Sequence, residues 1–269
     1  MKKKSYQQVL EMDESTTVIS QFGWLPMSVY KPKKALEWKG IIGDDGDHDT
    51  RRSADAKYLP GLRFSEFNPE LAETVIRYWS LESDLVVDPF AGRATRGVVA
   101  LQWKRMYQGY EVAPATFKET SPKVLELGGA LECFDGCVMA HSPNQSADLI
   151  FTCPPYHQLE RYEPAPAQLS EIRDYRKFLQ RIEVLAKNCQ RVLKPGKFLC
   201  WVVADWRADG NLVLFHVDSI QAFERWGFKV HDVVIVENVS PFAALQAGKV
   251  AAKRYTSKIH EYLLVFRKL

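Results

Sequence analysis

The residues best suited to chemistry close an apolar run in the middle of the chain. Asp148 opens that run, and Cys153-Pro154-Pro155-Tyr156 ends it. The run predicts a buried strand, and because proline has no amide hydrogen to donate to a neighbouring strand, the chain must leave the sheet at Pro154. Cys153 and Tyr156 would then lie just past the strand's carboxyl end, where open α/β sheets bind ligands. A rigid turn with an aromatic face suits a flat heterocycle bearing an exocyclic amine. The alternative is an ordinary strand-to-loop turn with a half-buried tyrosine.

A second candidate site follows an earlier short apolar run. Residues 88–97 are rich in small side chains, which let the backbone approach a ligand closely at the start of a helix. The Gly-Arg-Ala-Thr-Arg-Gly part also matches a degenerate dinucleotide fingerprint, and Glu111 follows at about the spacing of a ribose-binding acid. A nicotinamide-dependent oxidoreductase is therefore one alternative, although Ala94 replaces the glycine that admits a pyrophosphate. A second alternative is a set of plain turn residues. The candidate cofactor-binding residues here are Asp88, Pro89, Phe90, Ala91, Gly92, Thr95 and Glu111.

The elements that must position these two segments alternate between helix and strand. Helical periodicity begins after Asn68, with Pro69 in the first turn. Seven strand patterns start near residues 85, 106, 131, 149, 198, 230 and 262. Such alternation predicts one α/β domain with a mostly parallel sheet and helices on both faces. No clear helix separates the last two strands, so one strand near an edge is expected to be antiparallel. Further helices are predicted over residues 95–103, 118–127, 170–193 and 212–226.

Composition adds few limits. The chain has 269 residues, a net charge of +3 and 46% hydrophobic residues, which allows a polyanionic partner without requiring one. No apolar run approaches the ~20 residues of a membrane span. Five scattered cysteines, of which only Cys133 and Cys137 are close together, indicate reduced thiols and predict no metal site. The expectation is a cytoplasmic protein without a membrane partner.

Taken together, the two segments resemble a known enzyme family. The strings Asp-Pro-Phe-Ala-Gly at residues 88–92 and Thr-Cys-Pro-Pro-Tyr at residues 152–156 are similar to the paired motifs of S-adenosylmethionine-dependent DNA methyltransferases that modify exocyclic amines. The resemblance covers roughly residues 62–267, and its final part is similar to phage-type DNA modification methylases. It implies a Rossmann-like methyltransferase fold, S-adenosylmethionine as cofactor and double-stranded DNA as partner.

The resemblance also implies roles for residues outside the two strings. Phe67, Asn68 and Pro69 look like the family's amino-terminal cofactor element. Glu111 resembles its second-strand acid, and Asp135 a third-strand residue near the cofactor adenine.

Two departures from the family pattern affect the function that is implied. Ala94 stands where many members have glycine, which alters the loop but still permits close approach. Cys153 stands where enzymes acting on cytosine N4 usually carry serine and those acting on adenine N6 carry aspartate or asparagine. Because cysteine is closer to serine in size and charge, cytosine N4 is favoured over adenine N6.

The implied reaction is direct methyl transfer to the exocyclic amine of a base flipped out of the duplex. The Pro154 carbonyl and the side chain of residue 153 would accept the amine hydrogens, and Tyr156 would stack on the base. Residues 153–156, which include Pro155, are therefore the predicted catalytic turn. Covalent catalysis by Cys153, as in C5-cytosine methyltransferases, is disfavoured because those enzymes share a Pro-Cys dipeptide and Cys153 instead precedes a proline.

A basic loop near the end of the chain is the predicted nucleic-acid contact. Lys249, Lys253, Arg254 and Lys258 lie in a segment without acids between the last two strand patterns, and such side chains neutralise phosphates. The alternative is plain solvated surface. Residues 1–60 lack sustained periodicity and are expected to form an irregular segment, followed by a methyltransferase domain over residues 61–269.

The sequence thus predicts a site-specific DNA amino-methyltransferase. An RNA or protein amide methyltransferase is an alternative from another class, since a related Pro-Pro-Tyr turn serves those substrates, although they usually carry asparagine or aspartate before the prolines. A binding module that has lost catalysis is a third hypothesis, disfavoured by the intact Asp88, Glu111 and Tyr156.

Overall fold

The computed structural model describes residues 27–32, 67–157, 160, 162–237 and 247–269, with the side chains of residues 247–249 left undescribed. Strands and helices alternate along most of this length. The strands are β1 (Val29–Tyr30), β2 (Leu85–Asp88), β3 (Met106–Glu111), β4 (Ala130–Cys133), β5 (Ala147–Thr152), β6 (Leu193–Val203), β7 (Trp206–Ala208), β8 (Asn211–Val213), β9 (Phe228–Glu237) and β10 (His260–Lys268). The helices are α1 (Pro69–Trp79), α2 (Thr95–Gln102), α3 (Pro114–Glu126), α4 (Tyr175–Val192), α5 (Phe215–Arg225) and α6 (Ala247–Ala252).

One mixed sheet carries the fold, with strand order β1-β9-β10-β6-β5-β2-β3-β4. Its pairs are parallel except those of β10, which runs antiparallel to both β6 and β9. The predicted antiparallel strand near an edge is confirmed. The sheet has eight strands where the sequence predicts seven, because Val29 and Tyr30 pair with Ile235 and Val236 of β9. The seven-strand prediction is wrong by this short edge strand, which a two-residue apolar pair does not signal.

Helices cover both faces of the sheet, as predicted. On one face, α4 and α5 bury residues such as Phe178, Leu185 and Phe223 against β6 and β10. On the other face, α1 and α2 bury residues such as Val75 and Val99 against β2, β5 and β10. Within the described residues, none of the helices combines the length and the apolar character that crossing a membrane requires.

Helix boundaries differ from the predicted ones where capping or turn chemistry intervenes. Asn68 caps α1 as predicted, since its side chain accepts hydrogen bonds from the amides of Glu70 and Leu71. The long predicted helix over 170–193 begins instead at Tyr175, because Asp174 caps it. Residues 206–213 form the β7–β8 hairpin, so the helix expected from 212 starts only at Phe215. Helix α3 begins at Pro114, earlier than predicted, and holds Pro122 in its interior.

The sheet has two chemically distinct edges. Strands β2, β3, β4, β5 and β6 are parallel, so their carboxyl ends meet along one edge, where antiparallel β10 begins. We call this edge the carboxyl rim and the opposite one the amino rim. Both predicted functional segments lie on the carboxyl rim, because β2 and β5 are direct neighbours in the sheet.

Candidate active site

The centre of the carboxyl rim is a buried carboxylate, Asp88, at the end of β2. Asp88 is completely buried, and Arg96 pairs with it through Nε at 2.8 Å from Oδ2. The Thr152 hydroxyl donates to Asp88 Oδ1 at 2.7 Å, and the Phe90 amide lies within hydrogen-bonding distance of both Asp88 Oδ1 (3.1 Å) and Thr152 Oγ1 (3.2 Å). The Tyr107 hydroxyl also donates to Asp88 Oδ2, at 3.3 Å. This network joins the loop after β2 directly to the end of β5.

The loop after β2 has a tightly constrained backbone. Gly92 adopts a φ of +54°, and a Cβ placed on it would meet no atom of the described residues within 4 Å, so this part of the structure leaves open space in front of the loop. Ala94 also adopts left-handed values, φ 55° and ψ 29°, a conformation that glycine would adopt without strain. A Cβ at Gly97 would lie 2.4 Å from the Tyr107 ring, so this glycine lets α2 pack closely on β3.

A close approach also links this loop to the turn after β4. A Cβ at Gly136 would lie 1.7 Å from the Pro89 carbonyl oxygen, which no side chain tolerates. The neighbouring Asp135 carboxylate accepts the Cys137 amide at 2.9 Å and pairs with Arg181 at 2.5 Å. In this structure Asp135 therefore orders the turn through protein contacts.

Glu111 stands at the end of β3 beside the same loop. Its Oε1 accepts the Ala113 amide at 2.7 Å. Burial raises the Glu111 pKa to about 7, against the opposing effect of backbone hydrogen bonds from Ala113, Gly92 and Val112. A carboxyl group in this position can accept hydroxyl hydrogens from a ligand in front of Gly92.

The predicted amino-terminal cofactor element, residues 67–69, lies against the same centre. The Phe67 ring contacts Phe151 edge-on, with centroids 5.5 Å apart, and the Arg96 guanidinium carbon lies 4.6 Å from the Phe67 centroid. Asn68 and Pro69 start α1, so their described contacts are helix-forming ones. Thr95 is buried at the first position of α2.

The predicted catalytic turn leaves the sheet at the end of β5, as the sequence indicates. Pro154 is buried, whereas Cys153, Pro155 and Tyr156 are half-buried. The Cys153 thiol has two distant acceptors, the Tyr156 hydroxyl at 3.9 Å and the Pro154 carbonyl at 4.0 Å. Burial, with smaller contributions from the charges of Glu261 and Glu160, raises the Cys153 pKa far above its usual value. The thiol is therefore neutral at physiological pH, which counts against the covalent alternative.

Two acidic side chains that the sequence did not point to contact this turn. Glu160 accepts the Tyr156 amide at 3.1 Å and the Tyr162 hydroxyl at 2.8 Å through Oε2. Burial raises the Glu160 pKa to about 7, and the charge of Glu261 adds to that rise. Glu261, near the start of β10, accepts the Tyr156 hydroxyl at 3.4 Å. It reaches Tyr156 from 105 residues away in sequence, so no local pattern identifies it.

The segment after the catalytic turn is anchored to the start of α3. The Glu163 carboxylate accepts hydrogen bonds from the amides of Ala115 and Thr116 at 3.0 and 3.3 Å. The amino terminus of a helix stabilises a negative charge in this position. The anchor places Tyr162 close enough to Glu111 for that carboxylate to contribute to the raised Tyr162 pKa, after burial and Glu160. The segment after the catalytic turn thus approaches the cofactor-binding residues through Tyr162 and Glu111, in addition to the contact between Thr152 and Asp88.

Of the predicted nucleic-acid contacts, three are exposed: Lys253, Arg254 and Lys258. Lys253 and Arg254 follow α6. The Lys258 side chain is exposed over much of its length, but its ammonium donates to the Asp205 main-chain carbonyl and partial desolvation of that group lowers its pKa. The side chain of Lys249 lies outside the described residues.

The β7–β8 hairpin adds a further cation to this region. The exposed Arg207 side chain stacks over Tyr255, 3.8 Å from the ring centroid, and the Tyr255 hydroxyl donates to the Gly210 carbonyl at 2.9 Å. We call Arg207, Lys253, Arg254 and Tyr255 the basic surface. Arg207 was not predicted, because nothing in the sequence places the hairpin beside the loop after α6.

Solved structures of similar shape define the class of fold. TrmN from Thermus thermophilus matches with a TM-score of 0.51 and 15% identity over 82% of this chain and 53% of that chain. Geranyl diphosphate C-methyltransferase from Streptomyces coelicolor A3(2), solved with S-adenosyl-L-homocysteine, matches with a TM-score of 0.52 and 11% identity over 74% of this chain and 78% of that chain. The [4+2]-cyclase SpnF matches with a TM-score of 0.53 and 16% identity over 74% of this chain and 81% of that chain. The protein has the Rossmann-like methyltransferase fold, and because a cyclase shares it, the fold alone does not decide the reaction.

The family follows from the sequence match. The model for DNA methylases of the N6/N4 type matches residues 6–121 and 147–269, which include both functional segments. The chain belongs to this DNA methylase family, and S-adenosylmethionine is accordingly its cofactor, as the resemblance implies. This membership favours a methyltransferase over the nicotinamide-dependent oxidoreductase. No curated protein sequence matches the chain, and the chain spans about half the length of TrmN.

Proposed function

We propose that this protein methylates DNA at the exocyclic amine of a flipped base, with cytosine N4 favoured over adenine N6. The observation that carries the proposal is the Thr152 hydroxyl, which bonds to Asp88 at 2.7 Å and accepts the Phe90 amide at 3.2 Å. This bridge fastens the cofactor loop to the strand that ends in the catalytic turn. A methyl donor and a base held by these two segments would meet at the centre of the carboxyl rim.

The residues around the loop fit the cofactor. The open space before Gly92 admits a ligand against the backbone, and the Glu111 carboxyl lies beside it to accept ribose hydroxyls. S-adenosylmethionine, when bound, supplies an electrophilic methyl group on its sulfonium. The remaining predicted cofactor residues would line or hold this site, with Asp88 and Asn68 acting through the loop and helix that they order. These residues are Phe67, Asn68, Pro69, Asp88, Pro89, Phe90, Ala91, Thr95 and Asp135.

The catalytic turn would orient the amine. The lone pair of an exocyclic amine is delocalised into the ring, and hydrogen bonds from its two protons to fixed acceptors turn that lone pair toward the methyl group. The Pro154 carbonyl is a strong acceptor and the Cys153 sulfur a weak one. Tyr156, half-buried and held through its amide by Glu160, offers a ring on which the flipped base stacks.

The side chain before the two prolines supports the choice of base. A neutral thiol at residue 153 resembles the serine of cytosine N4 enzymes more than the ionised aspartate of adenine N6 enzymes. The same turn could serve an RNA or a protein amide, which is the alternative. Digestion of methylated DNA to nucleosides would identify N4-methylcytosine or N6-methyladenine directly, and parallel assays with RNA and protein acceptors separate the alternative.

Replacing Tyr156 tests the proposal. Tyr156→Ala removes the stacking face, worth about 1–3 kcal/mol per base, so from stacking alone we expect a roughly 5- to 150-fold loss of tritiated methyl transfer to DNA at unchanged S-adenosylmethionine affinity. Tyr78→Ala is the matched control, a half-buried tyrosine on α1 toward the amino rim. If Tyr156→Ala turns over at the wild-type rate, the turn of residues 153–156 is not part of the active site.

The basic surface is the proposed DNA contact beside the site. Each phosphate that a cation neutralises contributes about 0.9 to the slope of log affinity against log salt. Arg207→Ala/Lys253→Ala should therefore reduce that slope by about 2, whereas the charge-matched Lys104→Ala/Lys229→Ala, on exposed amino-rim residues, should leave it unchanged. Equal slopes in all three proteins would show that DNA binds elsewhere.

A further inference from the structure

The site leaves one requirement of the reaction unmet by the catalytic turn itself. An amine that accepts a methyl group becomes a cation and must lose a proton. In this chain residue 153 is a thiol that burial keeps neutral, and a neutral thiol cannot retain an additional proton. The Pro154 carbonyl cannot retain it either. The proton must therefore travel beyond residues 153 and 154.

A chain of hydrogen-bonding groups leads away from that thiol. The Cys153 thiol points at the Tyr156 hydroxyl oxygen, 3.9 Å away, and the Tyr156 hydroxyl donates to Glu261 Oε1 at 3.4 Å. These distances are long for hydrogen bonds, as is common in sites without substrate, where such contacts tighten only when the substrate binds. The order thiol, phenol, carboxyl group leads from the turn to a side chain that can accept a proton as a carboxylate.

The second acid at the turn is engaged differently. Glu160 Oε2 accepts the Tyr156 main-chain amide and the Tyr162 hydroxyl, so it holds the backbone of the turn. Glu261 instead contacts the phenolic oxygen itself. Its position near the start of β10, two strands from β5 in the sheet, brings it to the rim from the opposite chain direction.

We propose that Cys153, Tyr156 and Glu261 form a proton relay in which Glu261 is the terminal acceptor of the amine proton. The inference rests on the proposed DNA methylation. In one concerted shift the N–H bond of the methylated amine breaks and its proton bonds to sulfur. The original thiol proton moves to the Tyr156 oxygen, and the original phenolic proton moves to the Glu261 carboxylate. The thiol and phenol end as they began, and the product amine and Glu261 are neutral.

Glu261→Gln tests the acceptor with little change in shape, because the glutamine amide oxygen still accepts the Tyr156 hydroxyl. Loss of general-base assistance should lower the single-turnover rate of DNA methylation about 100-fold at unchanged cofactor affinity. Glu237→Gln, at the end of β9 on the same rim and paired with Lys31 at 3.2 Å, is the matched control and should retain the wild-type rate.

The other members of the relay predict a specific pattern. Tyr156→Phe keeps the stacking ring and removes the hydroxyl, so it should lose as much as Glu261→Gln. The Tyr156→Phe/Glu261→Gln double variant should lose no more than either single one, because each breaks the same path. Cys153→Ser should retain activity, since a hydroxyl also passes a proton. Additive losses in the double variant would overturn the relay.

The pH dependence separates a relay from a structural role. Among the described residues, the titratable groups that interact with Glu261 include Cys153, Tyr156 and Glu160 from the turn and Lys258 from the segment before β10. The single-turnover rate of the wild type should fall as pH drops through the titration of Glu261. That decline should persist in Glu160→Gln and disappear in Glu261→Gln; its persistence in Glu261→Gln would contradict the relay.

Failure of the relay is distinguishable from failure of the proposed function. A wild-type protein that transfers no methyl group to DNA would remove both. A wild-type protein that methylates DNA at the same rate as Glu261→Gln and Tyr156→Phe would remove the relay alone.

Discussion

The two rims of the same sheet treat acidic side chains in opposite ways. At the amino rim, Asp148 receives the Lys194 ammonium at 2.8 Å and the Lys197 ammonium at 3.2 Å. These bonds, with one from the Leu85 amide, outweigh burial and lower the Asp148 pKa. At the carboxyl rim, burial dominates at Glu111 and Glu160 and raises both pKa values to about 7. At the amino rim, lysines neutralise the Asp148 carboxylate. At the carboxyl rim, the carboxyl groups of Glu111 and Glu160 are buried and have raised pKa values, and they are placed where a ligand could contact them.

This difference gives the rims opposite effects on stability as pH changes. Glu111 and Glu160 have folded pKa values above the usual 4.5, so the folded state holds their protons more tightly. Their contribution is most favourable below that value and declines as pH rises toward 7. The pKa of Asp148 is lowered, so its contribution is present above the unfolded pKa and is lost as pH falls through the folded one.

The largest expected effect comes from breaking a fully buried charge pair of the carboxyl rim. Arg96→Met leaves the completely buried Asp88 without its cation, which should lower the free energy of unfolding by about 3–5 kcal/mol. Chemical denaturation measures it. Arg77→Met, which removes a helix-surface pair with Glu73, should lower it by only about 0.3–0.5 kcal/mol. Similar values for the two variants would mean that Asp88 is stabilised mainly by its other partners.

An intermediate effect is expected on the affinity of the carboxyl rim for S-adenosylmethionine. If Glu111 accepts ribose hydroxyls as a carboxylate, S-adenosylmethionine binding requires its deprotonation. Below the Glu111 pKa of about 7, the dissociation constant should then rise by up to about tenfold for each unit by which the pH is lowered. Calorimetry from pH 6 to 8 measures this, and Glu111→Gln should bind weakly with a flat profile. A flat profile in the wild type would place the hydroxyls elsewhere.

The smallest expected effect lies at the amino rim. Lys194→Met removes one of two lysines from Asp148, and because Lys194 is 41% exposed, the free energy of unfolding at pH 7 should fall by no more than about 1 kcal/mol. The difference from wild type should vanish as acid protonates Asp148. Denaturation curves at pH 7 and pH 3 test this. A loss that persists at the lower pH would assign it to packing of the lysine chain.

The sequence was informative where chemistry follows local order. Asn68 before Pro69 located the start of α1, and the Pro-Pro pair located the end of β5, because capping and the missing proline amide act over a few residues. Parallel strand order then implied that residues 88 and 153 share a rim.

Most of the contacts that were not predicted join distant parts of the chain. Glu261 meets Tyr156 from 105 residues away, and Arg207 of the β7–β8 hairpin meets Tyr255, which follows α6. Arg96 was visible in the loop, but its return to Asp88 eight residues earlier depends on the turn of the folded loop. The assigned roles of these site residues, like the domain boundary at residue 61, stay predictions.

The short strand β1 has a consequence for any attempt to shorten the chain. Val29 and Tyr30 occupy part of the outer edge of β9, and the Tyr30 hydroxyl fastens them to Thr74 of α1 at 2.9 Å. A protein trimmed to the region from Phe67 onward would present those β9 amides and carbonyls unpaired, which invites a strand from another molecule. The 66 residues before Phe67 thus include a short strand that shields the edge of β9 from pairing with another molecule.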